Sequence, residues 1–201
     1  SCGSTIVSGD TYCRIRIGTI NAEISNPTGN AANGEVEDYA LSILGTDYGD
    51  LPVGGAVTYP AASALCLSDA DPDKVWLGGD ADMPTRECGS LSNPSATGDA
   101  NDNGFIMPAT ILREVPQNYQ LTVNSNIPNT VFYGVWFDWN ADGTFDDFYN
   151  GSQSTSSPAT VNLLVTAPLS TVSGFGVRVM ARTIPFSAAD FNLQNFENGE
   201  V

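Results

Sequence analysis

The sequence has no histidine, only one lysine (Lys74) and no long apolar run. Without histidine there is no imidazole base for a Ser-His-Asp triad and no histidine-rich zinc site. Lys74 is not part of a Ser-x-x-Lys pattern, so the serines lack a lysine base as well. No segment is long and apolar enough to predict a membrane-spanning helix. We therefore expect a protein that is not an enzyme and does not insert directly into a membrane.

Basic charge is also scarce. The chain has 23 acidic residues against 7 basic ones, which gives a formal net charge of −16. Such a surface repels nucleic-acid phosphates and anionic lipids, which both require basic patches. It favours divalent cations instead and keeps a long protein soluble. We expect no nucleic-acid partner.

The four cysteines, Cys2, Cys13, Cys66 and Cys88, do not have the Cys-x-x-Cys spacing of a redox or zinc site. Three pairings are possible, and pairing of sequence neighbours gives the bridges Cys2–Cys13 and Cys66–Cys88. Two disulfides predict an oxidising, extracytoplasmic location. The alternative is four reduced thiols in a cytosolic protein, and no signal peptide is visible to support export.

A short motif occurs twice. Asn33–Val36 (NGEV) returns as Asn198–Val201, and similar basic-apolar segments, Cys13–Ile17 and Val177–Ala181, precede the two copies. The two stretches align with one gap of a single residue. This recurrence predicts a tandem repeat. The alternative is a chance likeness between two strands that end in the same turn.

A tandem repeat would divide the chain at the end of its first NGEV strand. Residues 1–44 would be the C-terminal strands of a preceding repeat, and residues 45–201 a nearly complete repeat that lacks its last strand. If the chain is a whole subunit, residues 1–44 would complete a neighbour's sheet by strand addition. If it is an excerpt of a longer array, the same contacts would be covalent.

Residues 47–104 are irregular and rich in Gly, Pro, Asp and Asn, whereas the pattern beyond them is strongly β. Short apolar runs with turn residues between them predict strands at Phe105–Met107, Gln120–Val123, Val131–Asp138, Ala159–Val165 and Gly174–Arg182. Asn150–Pro158 is predicted to be a loop, and Ser187–Asn192 a helical turn.

These strands predict an all-β fold. We expect an antiparallel β-sandwich or jelly-roll-like repeat that is stapled by disulfides and carries long irregular loops. Trp136 alternates with apolar neighbours on its strand, which predicts a core side chain. The alternative is an exposed platform for a sugar.

The segment Asp138–Asp147 carries the sharpest chemical signal. It has oxygen-bearing side chains at loop positions one, three and five and a glycine at six, like the front half of an EF-hand calcium loop. At position twelve Tyr149 replaces the bidentate glutamate, so a calcium site would need another ligand. The alternative is a turn whose side chains bond their own backbone. The candidate ligands are Asp138, Asn140, Asp142, the Thr144 carbonyl, Asp146 and Asp147.

A second acidic segment, Gly98–Gly104, places Asp99, Asn101 and Asn103 in alternation. Clustered carboxylates repel one another unless a cation or solvent lies between them. We regard these three residues as further candidate calcium ligands, with a solvated acidic surface as the alternative.

Arginines are concentrated on the strands that precede the two NGEV copies. If each strand pairs with its copy as a hairpin, arginines and carboxylates would form a structural corner lock, which we prefer to a catalytic role. The residues concerned are Arg14, Arg16, Glu35, Glu37 and Asp38 in the first hairpin, and Arg178, Arg182 and Glu200 in the second.

Asn33–Tyr39 resembles the signature of the GEVED domain. Asp47–Pro52, Gly98–Gly104 and Trp136–Gly143 fit the same family in the expected order. The resemblance implies a β-rich extracellular module of large adhesin-like or cell-surface bacterial proteins, sometimes attached to secreted enzymes. It implies no catalytic activity.

Two functions follow as expectations. The first is a structural or adhesive repeat of an extracellular surface protein or filament, rigidified by calcium and associating with itself or with neighbouring repeats. The second is a carbohydrate-binding accessory module of a secreted hydrolase, which would bind surface glycans. The second function predicts a row of exposed aromatic side chains, such as Trp76, Trp139 or Tyr149.

Overall fold

A computed structural model of the chain describes residues 9–30, 32–43, 46–49, 51, 57–65, 74–81, 104–194, 196 and 199–201. The chain divides into two compact units, Ser1–Gly45 and Thr46–Val201. The described residues form mostly β-strands, with almost no helix, and every pair of strands is antiparallel. The all-β, antiparallel prediction is confirmed.

The first unit contains a two-stranded hairpin of β1 (Gly9–Ile17) and β2 (Glu35–Ile43). One helical turn, α1 (Asn21–Ile24), lies in the connection between the two strands. Residues directly opposite each other on paired strands share a face of the sheet. One face of this hairpin carries four exposed apolar side chains, Ile15, Ile17, Tyr39 and Leu41.

The second unit contains two four-stranded sheets and a short β-pair. The strands in chain order are β3 (Thr46–Tyr48), β4 (Ser63–Leu65), β5 (Val75–Leu77), β6 (Phe105–Ile106), β7 (Pro116–Ser125), β8 (Asn129–Asp138), β9 (Asp147–Thr155), β10 (Ala159–Thr166), β11 (Gly176–Arg182) and β12 (Gly199–Glu200). The first sheet has the order β10-β7-β5, with β6 also paired to β7. The second sheet has the order β12-β11-β8-β9, and β3 pairs with β4.

The main core takes buried side chains from both four-stranded sheets. Alternate residues of β7 are buried while their neighbours face outwards, as expected for a strand with one face in a core. Strand β8 is buried on both faces, because its other face contributes Trp136 to a second cluster with Met180 and Phe186. Trp136 is therefore a core residue, as predicted. The main core includes Val75, Tyr119, Leu121, Val123, Val131, Val135, Phe137, Trp139 and Val165.

The predicted loop Asn150–Pro158 is wrong over most of its length, because β9 runs from Asp147 to Thr155 and pairs with β8. Asn150, Gly151 and Ser152 are turn-forming residue types, so local sequence pointed to a loop. Gly151 lies opposite Tyr133, and a Cβ there would be 2.2 Å from the tyrosine hydroxyl. Glycine thus makes room for a neighbour's side chain in the sheet.

Other local predictions agree with the structure. A 3-10 helix at Ala188–Asn192 is preceded by Ser187, which forms a capping box with Asp190, so the predicted helical turn is confirmed.

The predicted disulfides are not confirmed. Cys13 is a free thiol, so the structure does not show a Cys2–Cys13 bridge. Cys2, Cys66 and Cys88 lie outside the described residues, and the Cys66–Cys88 bridge stays a prediction.

Candidate functional site

The loop between β8 and β9 is organised around the carboxylate of Asp138. Asp138 ends β8 and is fully buried. Its Oδ1 accepts a hydrogen bond from the Asp142 N–H (3.2 Å), and its Oδ2 accepts bonds from the Gly143 N–H (2.8 Å) and the Tyr59 hydroxyl (2.7 Å). Burial and this bond to Asp138 raise the pKa of Tyr59, so its hydroxyl stays a donor at neutral pH.

Two side chains shape the exposed tip of the loop. The Asn140 Oδ1 accepts a bond from the Asp142 N–H (3.0 Å), and the Asp142 Oδ1 accepts one from the Thr144 N–H (2.8 Å). The Thr144 N–H, followed by the Asn140 amide, holds the pKa of Asp142 below its usual range. Gly143 has φ +89° and packs against the Thr58 carbonyl, where a Cβ would be only 2.7 Å from the oxygen. Glycine is therefore needed at loop position six.

The last two carboxylates of the loop contact Trp139. The Asp146 Oδ2 accepts the Trp139 backbone N–H (2.9 Å), and the Asp147 Oδ2 accepts its indole N–H (2.7 Å). One oxygen of each carboxylate is thus engaged with the tryptophan. Among the described residues, no three acidic or cysteine side chains cluster in the manner of a metal centre. Asp99, Asn101 and Asn103 lie outside the described residues.

The oxygen atoms of this loop decide what it can bind. The loop offers the side-chain oxygens of Asp138, Asn140, Asp142, Asp146 and Asp147 and the Thr144 carbonyl, but many of these oxygens already accept hydrogen bonds. Calcium takes six to eight oxygens. A cation at this loop would complete its shell with water. The same hydrogen bonds also fit the alternative that the sequence allowed, a turn without a metal ion whose side chains bond their own backbone.

The first hairpin contains a bidentate ion pair. The Arg14 Nε donates to the Asp38 Oδ1 (2.6 Å) and its Nη2 to the Asp38 Oδ2 (2.5 Å), while Nη1 donates to the Pro27 carbonyl (2.9 Å). These bonds with Arg14 hold the pKa of Asp38 below its usual range. Both side chains are about half exposed, so the predicted pairing is present as a surface lock.

The other residues of the predicted lock in this hairpin bond to groups that were not predicted. Arg16 donates to backbone carbonyls of the connection, those of Asn26, Thr28 and Gly29, and not to a carboxylate. Glu37 accepts a short hydrogen bond from the Tyr39 hydroxyl. Arg16 therefore does not take part in the predicted arginine–carboxylate lock, because the connection folds back over the strand and offers its carbonyls instead.

In the second unit Arg178 is buried, with 3% of its surface exposed. Its Nη1 donates to the Phe191 carbonyl (2.5 Å), and its guanidinium lies 5.4 Å from the Phe145 ring centre. Among the described residues, its buried Nε and Nη2 have no hydrogen-bond partner. Burial lowers the pKa of Arg178 to about 10, an effect that nearby Tyr59 opposes, so it is still a cation at neutral pH.

Arg182 forms an ion pair with Asp190 (2.7 Å) and donates to the Ile184 carbonyl (2.8 Å). The sequence predicted Glu200 as a partner of Arg178 and Arg182, and the side chain of Glu200 lies outside the part of the structure that is described. Asp190 was missed. The helical turn that brings Asp190 back to the strand was predicted, so Asp190 could have been found from it. Tyr59 was missed as well, because it lies in the irregular region, far along the chain from Asp138.

Both NGEV copies pair with the strand that precedes them, and they do so in the same register. Ile17 lies opposite Glu35 in the first unit, and Ala181 lies opposite Glu200 in the second. The sequence alignment makes Ile17 equivalent to Ala181, so equivalent residues are paired. Arg14 and Arg178 are equivalent in the same alignment.

The motif glycine Gly34 is a structural requirement of the first hairpin. It has φ +128°, and a Cβ on it would be 1.9 Å from the Ile17 carbonyl oxygen. We predict that Gly34→Ala destabilises the hairpin by more than about 2 kcal/mol, since the backbone must move as well as adopt a strained angle. Loss of the cross-strand NOEs between β1 and β2 would measure this.

Gly29→Ala is the matched control. Gly29 also has a positive φ, +93°, but a Cβ on it meets nothing within 4 Å. It should cost only about 1 kcal/mol from the backbone strain. Equal effects of the two substitutions would contradict the role given to the close approach of Gly34 and Ile17.

The aromatic row expected for sugar binding is not formed by its predicted members. Trp76 and Trp139 are buried, and Tyr149 is half-buried against the main core. The Trp76 indole N–H donates to the Gly79 carbonyl (2.8 Å), which satisfies its polar atom inside the protein. Trp76, Trp139 and Tyr149 lie in or next to strands whose apolar faces pack into the protein.

Fold and site together define an antiparallel β protein with a hydrogen-bonded acidic hairpin loop and an arginine-bearing strand next to an NGEV turn. Residues 132–201 match the model of the GEVED domain, which confirms the domain name for that part of the chain. The matched part begins in β8 and includes the acidic loop, β11 and the second NGEV copy. No curated protein and no solved structure matches the chain. No helix of the described residues is long and apolar enough to cross a membrane.

Proposed function

We propose that the chain is a non-catalytic structural or adhesive repeat of an extracellular surface protein or filament. The observation that carries this proposal is the equivalent register of the two NGEV hairpins. Two segments far apart in the sequence form the same strand pairing. In both, the glutamate of the NGEV motif lies opposite an equivalent residue, Ile17 in the first hairpin and Ala181 in the second. Recurrence of one supersecondary unit along a chain is typical of repeat proteins.

In this proposal the repeat is a β-sandwich of the jelly-roll kind. Support comes from the main core, which takes buried side chains from both four-stranded sheets of the second unit. Side chains from the inner faces of two sheets form such a core in β-sandwiches. The outward-facing residues of β7 and β10 are largely exposed, as expected for strands with one face in solvent.

One face of the first hairpin supports self-association. Ile15, Ile17, Tyr39 and Leu41 share this face and are exposed, and Glu35 and Glu37 lie on it as well, opposite Ile17 and Ile15. The residues equivalent to Ile15 and Ile17 in the second unit are Val179 and Ala181, which contribute to its main core. This face is thus packed against a core in the hairpin of the second unit, whereas it is exposed in the hairpin of the first unit. The exposed face favours a binding partner, either a neighbouring repeat or another copy of the chain.

An extracellular location belongs to the same proposal. The excess of acidic residues supports it, as does the match to the GEVED domain, since the resemblance to that family implies an extracellular module. Electron microscopy and light scattering of the purified chain test the filament role. Ordered assemblies are expected, and particles that stay monomeric at all concentrations would contradict it.

Calcium bound at the Asp138–Asp147 loop would rigidify the unit. A cation there would neutralise part of a loop with four carboxylates, in a chain of net charge −16. The buried Asp138 already fixes the loop backbone, so the oxygens of Asn140 and Asp142 are held ready at its tip.

We predict that calcium raises the melting temperature of the second unit. Calcium at 100 times its dissociation constant adds about 2.7 kcal/mol, which corresponds to roughly 5–10 °C for a unit of this size. Differential scanning calorimetry with calcium and with EDTA measures the shift. Asp142→Asn should remove most of it, whereas Glu114→Gln, which removes an exposed carboxylate elsewhere in the unit, should not. Identical melting in calcium and EDTA would exclude the site.

A further inference from the structure

Lys74 is the one lysine of the chain, and it is buried, with 1% of its surface exposed. It directly precedes β5, where Val75 packs in the main core. Because side chains alternate along a strand, Lys74 and Trp76 lie on the other face of β5. Trp76 is buried as well. The side chain that carries the primary amine thus shares a water-poor face of the sheet with an indole ring.

The strand register brings Asn124 to the same face. In the pair of β5 with β7, Val75 lies opposite Ser125 and Trp76 lies opposite Asn124. Asn124 is therefore a diagonal neighbour of Lys74, at a separation that long side chains can span. Asn124 is fully buried. A primary amine and a carboxamide, two groups that can condense to a new amide, are thus placed together in the interior.

Both ends of the Asn124 amide are hydrogen-bonded in a way that favours this condensation. Its Oδ1 accepts the backbone N–H of Ser125 (2.8 Å), and its Nδ2 donates to the Oδ1 of Asp80 (3.0 Å). An N–H group at the carbonyl oxygen stabilises the negative charge that develops when a nucleophile adds to the carbon. A carboxylate at the amide nitrogen can transfer protons to it as it leaves. Asp80 lies in the turn after β5 and is exposed, so the leaving group has a path to solvent.

We propose that Lys74 and Asn124 form an intramolecular isopeptide bond between β5 and β7, with Asp80 as the proton carrier. The Lys74 Nζ gives up a proton and attacks the Asn124 Cγ, and it loses a second proton as the new amide forms. Asp80 passes both protons to Nδ2. The Cγ–Nδ2 bond then breaks, and Nδ2 leaves as an ammonium ion. One C–N bond forms and one breaks, so the reaction needs no oxidant and no other reactant.

This inference goes beyond the proposed function, since the bond does not depend on what the chain adheres to or assembles with. Strand β5 has three residues, and the bond would anchor it covalently to β7. The linked residues are 50 positions apart in the chain (124 − 74). Like a disulfide, such a link restricts the unfolded chain and so stabilises the folded unit. Unlike a disulfide, it is not broken by reducing agents.

The mass of the intact purified chain tests the proposal. With its cysteines reduced, the chain should be lighter than its sequence predicts by one ammonia molecule, about 17 Da. Lys74→Arg and Asn124→Ala should each restore the mass calculated from the sequence. Asn118→Ala, at an exposed position of the same strand, should keep the deficit. A chain that has the full mass calculated from its sequence overturns the proposal.

Peptide mapping keeps the test decisive if the two variants at buried positions fail to fold. The wild-type chain is digested with trypsin, which does not cleave after an acylated lysine, and its fragments are sequenced by tandem mass spectrometry. A fragment that joins Lys74 to Asn124 supports the proposal. The chain also has Asn–Gly pairs, which lose ammonia when they cyclise. A deficit that maps to such a pair and persists in Lys74→Arg, or a bond from Lys74 to Asn126, overturns it.

The role of Asp80 is tested by the rate of bond formation. The mass of the chain is followed at intervals after cell-free synthesis, and Asp80→Asn is expected to slow the loss of ammonia about tenfold or more. Glu114→Gln removes an exposed carboxylate elsewhere in the unit and should leave the rate unchanged. Equal rates in the wild-type chain and Asp80→Asn would overturn Asp80 as the proton carrier. None of these results depends on whether the chain forms filaments, so the two proposals can fail separately.

Discussion

Trp139→Ala is expected to destabilise the second unit by about 3–5 kcal/mol, the range for deleting a large buried aromatic. Trp139 is fully buried and stacks on Phe137, with ring centres 4.4 Å apart and planes within 7°. Its other neighbour is the Phe175 ring, at 4.9 Å. Loss of the indole leaves a cavity in the main core and also frees the Asp147 carboxylate. Urea denaturation followed by circular dichroism measures the change in the free energy of unfolding.

Trp139→Phe is the matched control, because it keeps a stacked ring and removes the indole N–H. It should cost about 1–2 kcal/mol, mainly for the lost hydrogen bond and the smaller ring. A loss below about 1 kcal/mol for Trp139→Ala would contradict its place in the core. Such a result would revive Trp139 as an exposed platform for sugars.

Asp138→Ala is expected to cost about 3 kcal/mol or more, because three donors lose a buried acceptor at once. These donors are the Asp142 and Gly143 N–H groups and the Tyr59 hydroxyl. The measurement is urea denaturation in EDTA, so that calcium cannot contribute to the difference. A loss of this size without calcium would identify Asp138 as a structural anchor of the loop, whatever the loop binds.

Two control variants separate the anchor from the exposed tip. Asn140→Ala removes one exposed acceptor and should cost less than about 1 kcal/mol. Tyr59→Phe removes a single donor to Asp138 and should cost about 1 kcal/mol. If Asp138→Ala is no worse than Asn140→Ala, the burial of the carboxylate has no energetic consequence and the proposed anchor is wrong.

Calcium binding is then measured separately from this anchor. Asp142 lies at the exposed tip, and its carboxylate is bonded within the loop and not to the core. A calcium-dependent rise in melting temperature that survives in Tyr59→Phe but disappears in Asp142→Asn would assign the ion to the tip. The two experiments together distinguish a structural turn from a metal site.

Local patterns in the sequence were enough to predict most of the longer strands. The predicted strand Ala159–Val165 is present as Ala159–Thr166. The predicted strand Val131–Asp138 is also present, and in the structure it begins two residues earlier, at Asn129. The turn at the end of β8 was also recognised, because the spacing of its Asp, Asn and Gly residues is a local property. Each of these depends on neighbours a few residues away.

Strand β9 could not be predicted in the same way. Asn150, Gly151 and Ser152 favour turns, and they become a strand only because β8 provides nine paired residues beside them. Pairing along a whole strand outweighs weak local preferences. The ion pair between Arg182 and Asp190 has a similar cause, since the 3-10 helical turn brings Asp190 back to the strand.

The sequence by itself determined the all-β class, the acidic surface, the recurrence of NGEV and the shape of the Asp138 loop, because each is encoded by composition or by residues close together in the chain. The tertiary structure alone decided that Trp139 is core, that Tyr59 bonds to Asp138, and that Arg178 is buried with two bare donors. These features depend on distant segments meeting in one sheet or one core, and no local pattern specifies which segments will meet.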